Sequence, residues 1–259
     1  MPLGSPTYLP YKGVTMKQSI FTILENEALT STVYKMTLAG DTSSITASGQ
    51  FVNIKLEGNF LRRPISVCDS EEGKLTLIYK VVGRGTEQMS RMLPGQTLDV
   101  LTGLGNGYDL SLAGDHPLLV GGGVGVPPMY MLAKQLRAMG KSVSVILGFN
   151  TKEEVFCEQD FLDLGCQVTV TTVDGSYGTK GFVTNALPSD YTHFYTCGPE
   201  PMLKALYKST TTSGQFSFEE RMGCGFGACM GCSCKTITGY KRICKEGPVL
   251  TKEEILWND

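Results

Sequence analysis

The sequence has no run of basic residues, no long apolar run and no recognisable secretion signal. Its 23 Lys and Arg side chains are balanced by 25 Asp and Glu side chains, and the net charge is −2. Proteins that bind nucleic acid through charge carry a basic patch, so no nucleic-acid partner is predicted. The most apolar stretch, residues 117–133, is broken by glycine and proline and is too short to cross a bilayer, so no membrane span is predicted either.

The first 15 residues are rich in proline and glycine and lack the cationic and apolar regions of a signal peptide. We interpret residues 1–15 as a flexible leader or a cloning scar, with the natural start at Met16. The cysteine total is odd, at nine, which argues against a disulfide framework and favours a reducing compartment. We therefore expect a cytoplasmic protein.

Cysteine is concentrated in one short segment near the C-terminus, and its spacing there is informative. Cys224, Cys229 and Cys232 follow a C-x4-C-x2-C pattern, and Cys244 lies further along the chain. This is the plant-ferredoxin-type spacing for a [2Fe–2S] cluster. Glycines inside the loop remove side chains that would keep backbone N–H groups away from the sulfurs. The pattern predicts a [2Fe–2S] cluster with these cysteines as ligands.

A zinc site is the alternative, since it also uses four cysteines. Zinc sites of this kind usually hold two C-x2-C pairs at opposite ends of a ribbon, and only one such pair is clear here. Cys234 is a further thiol in the same region. It falls outside the ligand spacing, so we expect it to lie beside the cluster or at the surface without binding iron.

The pattern of strands and helices divides the chain into three parts, which predicts a multi-domain fold. Residues 16–112 contain short runs rich in β-branched and aromatic residues between turn signals, which predicts a small antiparallel β-barrel. Its strands are predicted at residues 19–24, 33–38, 51–56, 75–82 and 97–101, with a helix at 86–92. Residues 214–259 are predicted to form a small C-terminal domain that carries the cluster.

Residues 113–213 alternate between β and α patterns, which predicts a doubly wound α/β domain with a parallel sheet. Its strands are predicted at residues 118–121, 143–149, 168–173 and 193–197. Its helices are predicted at residues 127–140, 153–164 and 199–209, and residues 179–186 are predicted to lead into another.

A glycine-rich turn follows the first strand of this α/β domain. Gly122, Gly123 and Gly125 let the backbone come close to a pyrophosphate, whose charge the next helix N-terminus attracts. The turn lacks the strict G-x-G-x-x-G spacing, so a role in packing alone stays open. Cys197 and Gly198 end the last strand, at the mouth of the predicted nucleotide crevice, although burial as a small side chain is a common role for cysteine.

Two segments of the predicted barrel carry residue types that bind anions. Arg63 stands at a strand end beside Ser66 and backbone donors, an arrangement that holds phosphate, although two adjacent arginines are more often solvated. Gly85 and Thr86 belong to a loop at a predicted helix start, which also suits an anion. Residues 78–80 offer an aromatic ring and backbone groups to a flat heterocycle.

The order of these motifs resembles the ferredoxin–NADP reductase superfamily. The matching segments are Gly-Gln-Phe at 49–51, Arg-Pro-Ile-Ser at 63–66, Gly-Thr at 85–86, Gly-Asn-Gly at 105–107, the glycine-rich turn at 121–128 and Cys-Gly-Pro at 197–199. The segment 219–224, with the cluster cysteines, narrows the resemblance to the electron-transfer subunits of the type B dihydroorotate dehydrogenases of Gram-positive bacteria. The resemblance covers nearly everything from Met16 onward. Ser48 departs from the proline that often precedes Gly-Gln-Phe.

The resemblance implies a barrel that binds FAD, a domain that binds NAD and a [2Fe–2S] domain. The barrel residues that it implies in FAD contact are Arg63, Pro64, Ile65, Ser66, Ile78, Tyr79, Lys80, Gly85 and Thr86. The implied partner is the FMN-containing catalytic subunit of pyrimidine synthesis, in a heterotetramer of two catalytic and two electron-transfer subunits. Dihydroorotate is oxidised on that partner, and no segment of this sequence looks like a dihydroorotate site.

A nicotinamide site and an iron–sulfur cluster in one chain require a flavin between them. NADH carries two electrons as a hydride, whereas the cluster accepts one at a time, and a flavin handles both. We therefore predict electron transfer from the partner's FMN through the cluster and FAD to NAD⁺. No general acid or base is assigned, and Cys197 is a candidate nicotinamide contact. Segment 148–152 lacks an arginine cluster for a 2′-phosphate, which favours NAD over NADP.

Two other functions stay open at this point. The same domains would serve an NAD(P)H-oxidising subunit of another redox complex, such as a bifurcating transhydrogenase, a sulfide dehydrogenase or a hydrogenase. A redox sensor whose cluster controls partner binding is the non-enzyme alternative. A sensor needs no complete flavin and nucleotide machinery, which argues against it.

Overall fold

The computed structural model describes residues 16–257. The predicted leader, residues 1–15, lies outside the described residues. Within 16–257, no helix is both long enough and apolar enough to span a membrane. The described chain forms a closed barrel, a larger sheet and a two-stranded hairpin.

The barrel has six strands and confirms the antiparallel architecture predicted from the sequence. Its strands are β1 (Lys17–Ala28), β2 (Val33–Ala39), β3 (Phe51–Lys55), β4 (Arg63–Glu71), β5 (Lys74–Lys80) and β6 (Thr97–Leu104). Neighbours run antiparallel in the order β1-β2-β5-β4-β3-β6, and β6 pairs with β1 to close the barrel. Inward-facing side chains such as Phe21, Met36 and Leu77 are fully buried and form its core.

Strand β4 has no counterpart in the sequence prediction, which placed only a strand end there. Pro64 lacks a backbone N–H, yet it is accommodated near the beginning of β4, where it lies opposite Asn53 of β3. One helix, α1 (Arg84–Ser90), lies between β5 and β6 and begins two residues before the predicted start at 86. β4 and α1 together carry most of the residues implied to contact FAD.

A second sheet follows the barrel and confirms the doubly wound prediction. Its strands are β7 (Pro117–Gly122), β8 (Ser144–Phe149), β9 (Gln167–Thr172), β10 (Thr179–Lys180), β11 (His193–Cys197) and β12 (Gly214–Ser217). These strands are parallel in the order β10-β9-β8-β7-β11-β12. Strands β8, β9 and β10 are added in turn on one side of β7, and the chain then crosses back to place β11 on the other side of β7. Ligands bind at such a switch point, outside the carboxyl ends of the strands.

Three helices pack on this sheet: α2 (Pro127–Ala138), α3 (Glu158–Asp163) and α4 (Glu200–Ser209). The helix predicted at 153–164 is wrong over its first part, because Cys157 adopts a left-handed conformation (φ 63°) and α3 starts only after it. Residues 183–186 form only a short 3-10 turn where the sequence predicted the start of another helix. Helix α2 also packs against β4, so the barrel and the sheet share a core.

The C-terminal part adds a hairpin and one more strand. Its strands are β13 (Ser233–Thr236), β14 (Gly239–Arg242) and β15 (Val249–Thr251). β15 runs antiparallel to β12, so residues on both sides of the cysteine segment extend the α/β sheet. The boundary expected between residues 213 and 214 stays a prediction, but β12, just after it, belongs to the sheet of the preceding part.

Candidate redox site

The four predicted ligand cysteines lie together in two pairs. Cys224 lies beside Cys229, and its Sγ accepts hydrogen bonds from the N–H groups of Ala228 (3.2 Å) and Cys229 (3.4 Å). Cys244 lies beside Cys232, whose Sγ accepts from the Cys244 N–H (3.4 Å). Cys224 is also near enough to Cys244 to raise its pKa through charge repulsion, so the two pairs are neighbours. A two-iron cluster needs two thiolates on each iron, and two pairs of thiols are the donor set that it uses. Among the described residues, no three Cys, His, Asp or Glu side chains are grouped closely enough to hold one metal ion, so the structure shows the two pairs and not a closed metal site.

The loop backbone favours the thiolate form of Cys224. Burial alone would raise its pKa, but loop N–H groups, that of Phe226 foremost, donate to the sulfur and lower the pKa to about 6. For Cys244, burial and the adjacent Cys232 thiol raise the pKa to about 12. Thiolates are the form that binds metal, and the positive charge of bound iron offsets repulsion of this kind. The donor set therefore fits an iron–sulfur cluster.

Cys234 has different surroundings from the paired thiols. Its half-buried side chain lines a cavity of about 460 Å³, together with Phe218, Glu220 and Trp257. Burial, and then the carboxylate of Glu220, raise the pKa of the Cys234 thiol. Of the described residues that line this cavity, Cys234 alone is a thiol, so the cavity wall offers it no second thiolate with which to share an iron.

An ion pair holds the cysteine loop to the segment that carries Cys244. Arg242 donates to the carbonyl of Gly227 in the loop (2.5 Å) and pairs with Glu246, just beyond Cys244. The Arg242 guanidinium holds the pKa of Glu246 below its usual range, so the pair stays charged at neutral pH. Sequence reasoning did not single out these two side chains, because their link to the loop forms only when the loop folds back on the end of β14.

The barrel residues implied to contact FAD face each other across a gap between two strands. β4 and β5 pair as far as Val67 opposite Leu77, and beyond that point they separate. Past the separation lie two sets of residues: Arg63, Pro64, Ile65 and Ser66 on β4, and Ile78, Tyr79 and Lys80 on β5. The first set pairs with β3 on its outer side, and the second pairs with β2. On the sides that face the gap, β4 and β5 do not hydrogen-bond to each other. Their backbone N–H and C=O groups there can bond to the polar groups of a cofactor.

Arg63 lies beside this gap and crosses the start of α1. A Cβ on Gly85 would lie 2.2 Å from the Arg63 Nε, so a larger residue would collide with the arginine. Arg63 donates to the Leu61 carbonyl (2.6 Å) and to Asn59 Oδ1 (2.8 Å), neither of which is a carboxylate. An arginine held by neutral groups keeps its charge for an anion such as a flavin phosphate.

Arg62 has a structural role in the barrel wall. It forms an ion pair with Asp99 of β6 (2.9 Å) and donates to the backbone carbonyls of Asn53 (3.2 Å) and Asp99 (3.0 Å). Both charged side chains are only about one-fifth exposed. The two adjacent arginines are thus not a solvated pair, and Arg62 is already occupied within the protein.

The structure corrects one role predicted for β5. The sequence suggested that the Tyr79 ring offers its face to a flat heterocycle, but the side chain is 2% exposed and lies in the barrel core. Its hydroxyl donates to Asn26 Oδ1 (3.0 Å), and its ring stacks on that of Tyr34. Because the Tyr79 ring points into the core, only the backbone of Tyr79 is left to contact a flavin. The side chains of Ile78 and Lys80 point to the opposite face of the strand.

The glycine-rich turn and the Cys197–Gly198 turn meet at the switch point of the sheet. β7 and β11 are neighbouring parallel strands. Gly122 ends β7, and Gly123 and Gly125 belong to a short 3-10 turn that leads into α2. A Cβ on Gly125 would lie 2.2 Å from the Cys197 carbonyl oxygen, so only glycine lets the two turns touch. The structure thus brings the predicted NAD residues to one place beside the N-terminus of α2.

Cys197 lies next to two polar groups that sequence reasoning missed. The Ser217 hydroxyl and the Glu219 carboxylate both influence its thiol. Burial is the dominant effect and raises the pKa of Cys197 to about 12, so the thiol is protonated at neutral pH and is not a nucleophile. Ser217 and Glu219 approach Cys197 because β12 pairs with β11, which places Ser217 directly opposite.

Two family models match separate parts of the chain. Residues 119–208 match the oxidoreductase NAD-binding domain, and residues 219–256 match the iron–sulfur cluster binding domain of dihydroorotate dehydrogenase B. A solved chain of an NADH-dependent reduced ferredoxin–NADP oxidoreductase superposes with a TM-score of 0.83 at 29% identity, covering 92% of this chain and 90% of that one. The ferredoxin–NADP⁺ reductase of Neisseria gonorrhoeae shares the fold, with a TM-score of 0.65 at 18% identity over 75% of this chain and 89% of that one. Fold and site together define an iron–sulfur oxidoreductase subunit of the ferredoxin-reductase type.

Curated relatives narrow this class to one family. The electron transfer subunit of dihydroorotate dehydrogenase B (NAD(+)) from Geobacillus sp. (strain WCH70) is 44% identical over 93% of this chain and 99% of its own length. The corresponding subunit of Bacillus pumilus (strain SAFR-032) is 44% identical over 93% of this chain and 98% of its own length. The chain belongs to the family of dihydroorotate dehydrogenase B (NAD(+)) electron transfer subunits.

Proposed function

We propose that this chain carries electrons from a dihydroorotate dehydrogenase catalytic subunit to NAD⁺, in pyrimidine synthesis. The catalytic subunit oxidises dihydroorotate on FMN, and this chain receives the electrons from it. The 44% identity over 99% of a curated relative's length carries the proposal. The paired thiols, the gap between β4 and β5 and the turns at the switch point support it from the geometry.

The chemistry is divided among three groups that the chain's residues hold. A [2Fe–2S] cluster passes single electrons, FAD exchanges them for a hydride, and NAD⁺ accepts that hydride. We assign the iron atoms to Cys224, Cys229, Cys232 and Cys244. We assign FAD to the strand gap, with Arg63, Gly85 and Thr86 at the phosphates and Pro64, Ile65, Ser66, Ile78, Tyr79 and Lys80 along the two strands. We assign NAD to Gly122, Gly123, Gly125, Cys197 and Gly198.

The end of β8 favours NAD over NADP. The backbone and side-chain N–H groups of Asn150 donate to the Glu154 carboxylate (3.2 and 2.9 Å) at this strand end. A 2′-phosphate placed there would meet a carboxylate in place of an arginine. A ribose 2′-hydroxyl donates to a carboxylate, which is the arrangement found for NAD.

We further propose a cytoplasmic heterotetramer of two FMN-containing catalytic subunits and two copies of this chain. The odd cysteine total supports a reducing compartment. Light scattering of the co-purified complex tests the stoichiometry, because a one-to-one dimer has half the mass of the proposed assembly.

One observation favours a second function. The solved chain with a TM-score of 0.83 is described in connection with flavin-based electron bifurcation. An NADH-oxidising subunit of such a complex would use the same domains. The curated relatives are closer, at 42–44% identity against 29%, so dihydroorotate oxidation on the partner is the better-supported function.

Reconstitution with a catalytic subunit tests the proposed function. The isolated chain, loaded with FAD and iron, is expected to oxidise NADH with artificial dyes and to leave dihydroorotate untouched. Adding an FMN-containing catalytic subunit is expected to create dihydroorotate:NAD⁺ activity, measured as NADH formation. If the isolated chain oxidises dihydroorotate, or if no FMN-bearing partner produces this activity, the subunit assignment is wrong.

The tip of the cysteine loop is the predicted docking surface for the partner. Phe226 and Met230 are 44% and 54% exposed on either side of Cys229, which is itself exposed. An electron carrier must bring its cluster close to its redox partner, so we expect this apolar tip to pack against the catalytic subunit. Replacing Phe226 or Met230 by Glu is expected to weaken assembly about tenfold or more, as loss of a central interface side chain does. Surface plasmon resonance with immobilised catalytic subunit measures this.

A matched control separates docking from general loss of solubility or fold. Leu93 is 66% exposed in the barrel turn before β6, so Leu93→Glu adds the same charge to an exposed apolar side chain outside the cysteine loop. This variant is expected to bind the partner normally. All variants should keep NADH oxidation with dyes. If Phe226→Glu and Met230→Glu bind normally but lose iron faster in air, these side chains only shield the cluster and the docking prediction is wrong.

A further inference from the structure

Asn53 contacts the cysteine loop from the strand that pairs with β4, which carries part of the proposed FAD site. It lies on β3, directly opposite Pro64 of β4 in the register of the sheet. Its Nδ2 donates to the backbone carbonyl of Cys224 (3.2 Å), the first of the proposed iron ligands. The side chain is 1% exposed, so water does not compete for this hydrogen bond. Asn53 therefore connects the two proposed redox sites, through its backbone on one side and its side-chain amide on the other.

The loop approaches Asn53 closely because the residue after Cys224 is glycine. Gly225 has a φ of 78°, a conformation that other residues rarely adopt. A Cβ on Gly225 would lie 2.3 Å from the Asn53 Nδ2. A larger residue at this position would push the loop away from the barrel.

The two ends of the Asn53 amide differ in how they are paired. Asn53 Oδ1 is buried and has no hydrogen-bond partner among residues 16–257. A buried, unpaired amide oxygen is costly, and a leucine of similar size would remove that cost. The donor end, which holds the Cys224 carbonyl, supplies the reason for an asparagine.

A second asparagine of the barrel holds the other end of the cysteine segment. Asn106 follows β6, and its Nδ2 donates to the carbonyls of Glu246 (3.1 Å) and Val249 (2.7 Å). Its Oδ1 accepts from the Val249 N–H (3.0 Å), and its own N–H donates to the Gly247 carbonyl (2.7 Å). These contacts fall just after Cys244, the last proposed ligand. Asn106 therefore holds the segment after Cys244 against the barrel.

We propose that Asn53 is a positioning residue for electron transfer between FAD and the cluster. It fixes the Cys224 end of the cluster site against the flavin strand, and Asn106 fixes the Cys244 end. The distance between the two cofactors then depends on these barrel contacts. This inference rests on the proposed function, since it requires both FAD and the cluster in the chain.

The expected consequence is confined to one step. With FAD bound, NADH would supply two electrons to it as a hydride, and Asn53 has no role in that step. A bound cluster would then accept the electrons singly and pass them to a one-electron acceptor such as ferricyanide. Electron transfer slows steeply as the separation grows, so a loop that is free to shift slows the second step and leaves the first unchanged.

Rapid-reaction spectroscopy of the loaded chain tests the proposal with two variants. Asn53→Leu removes both ends of the amide, and Asn53→Asp keeps its size but removes the donor, in case the leucine variant does not fold. On anaerobic mixing with NADH, we expect flavin bleaching at the wild-type rate and cluster reduction slower by about tenfold. Losing a group that hydrogen-bonds to a metal-binding residue typically costs about 10–100-fold in activity, and we expect the lower end of that range. Hydrogen exchange at residues 221–231 should rise, and the paramagnetic resonance spectrum of the reduced cluster should broaden.

A control variant distinguishes positioning from a general loss of barrel stability. Thr42 is a buried hydroxyl elsewhere in the barrel that donates to the Glu71 carbonyl (2.8 Å), so Thr42→Val also deletes a donor to a backbone carbonyl. It should lower thermal stability without slowing cluster reduction.

The outcomes separate this inference from the proposed function. Wild-type rates and exchange in both Asn53 variants overturn the positioning role, and so does equal slowing in Thr42→Val. A wild-type chain that binds no cluster, or whose cluster NADH does not reduce, overturns the proposed function instead.

Discussion

Replacing Cys224, Cys229, Cys232 or Cys244 by serine is expected to abolish or severely disturb the [2Fe–2S] spectrum. Each of these thiols belongs to one of two contacting pairs, and each would supply one of the four thiolates that a [2Fe–2S] cluster needs. Electron transfer to the partner should fall by more than the roughly 10–100-fold that loss of an outer partner costs. Iron analysis and low-temperature paramagnetic resonance of the purified variants measure the effect.

The matched control for this prediction is Cys234→Ser. Cys234 falls outside the ligand spacing and belongs to neither thiol pair, so its variant should keep iron content and spectrum. Loss of the cluster in Cys234→Ser would show that the ligand set is misassigned. A wild-type protein that contains zinc and no iron would refute the cluster itself.

Replacing Arg63 by alanine is expected to weaken FAD binding. The guanidinium lies across Gly85 at the start of α1 and is held by neutral acceptors only, which leaves its charge for a phosphate. A charge-assisted hydrogen bond contributes about 1.5–3 kcal/mol, so FAD should bind about tenfold more weakly or worse. Flavin content after extensive dialysis, with a fluorescence titration of the apoprotein, measures the loss.

Arg62→Ala provides the comparison, because the neighbouring arginine is engaged within the barrel. Breaking its bond to Asp99 should lower the free energy of unfolding by about 1.5 kcal/mol or more, while FAD affinity changes less than in Arg63→Ala. Thermal unfolding separates these two effects. Equal flavin content in the two variants after dialysis would show that Arg63 does not bind a phosphate.

Features that are local in the sequence were predicted well. A barrel, a doubly wound sheet and a C-terminal cysteine segment follow from strand periodicity, alternating β and α patterns and cysteine spacing, and the structure has all three. Elements defined by a single special residue were predicted poorly. The left-handed Cys157 shortens a helix, and Pro64 conceals the start of β4.

The direction of a side chain was also beyond the sequence. Tyr79 is a residue type that often stacks on flat cofactors. Its ring nevertheless lies in the barrel core, because strand alternation and the β2–β5 register direct it there. Ser217 and Glu219 lie beside Cys197 only because β12 pairs in register with β11. Register between strands depends on packing across the whole sheet, and no local pattern encodes it.

By itself, the sequence determined which chemistry the chain carries. The cysteine spacing and the glycine-rich turns each lie within one short segment, and the ligating or cradling groups are set by residue type and spacing alone. Only the tertiary structure decided how these sites lie relative to one another. The Asn53–Cys224 hydrogen bond joins residues 171 positions apart, and Asn106 hydrogen-bonds to Glu246, which is 140 positions away. Such contacts form only when separate parts of the chain pack together, since they depend on the shape of both surfaces.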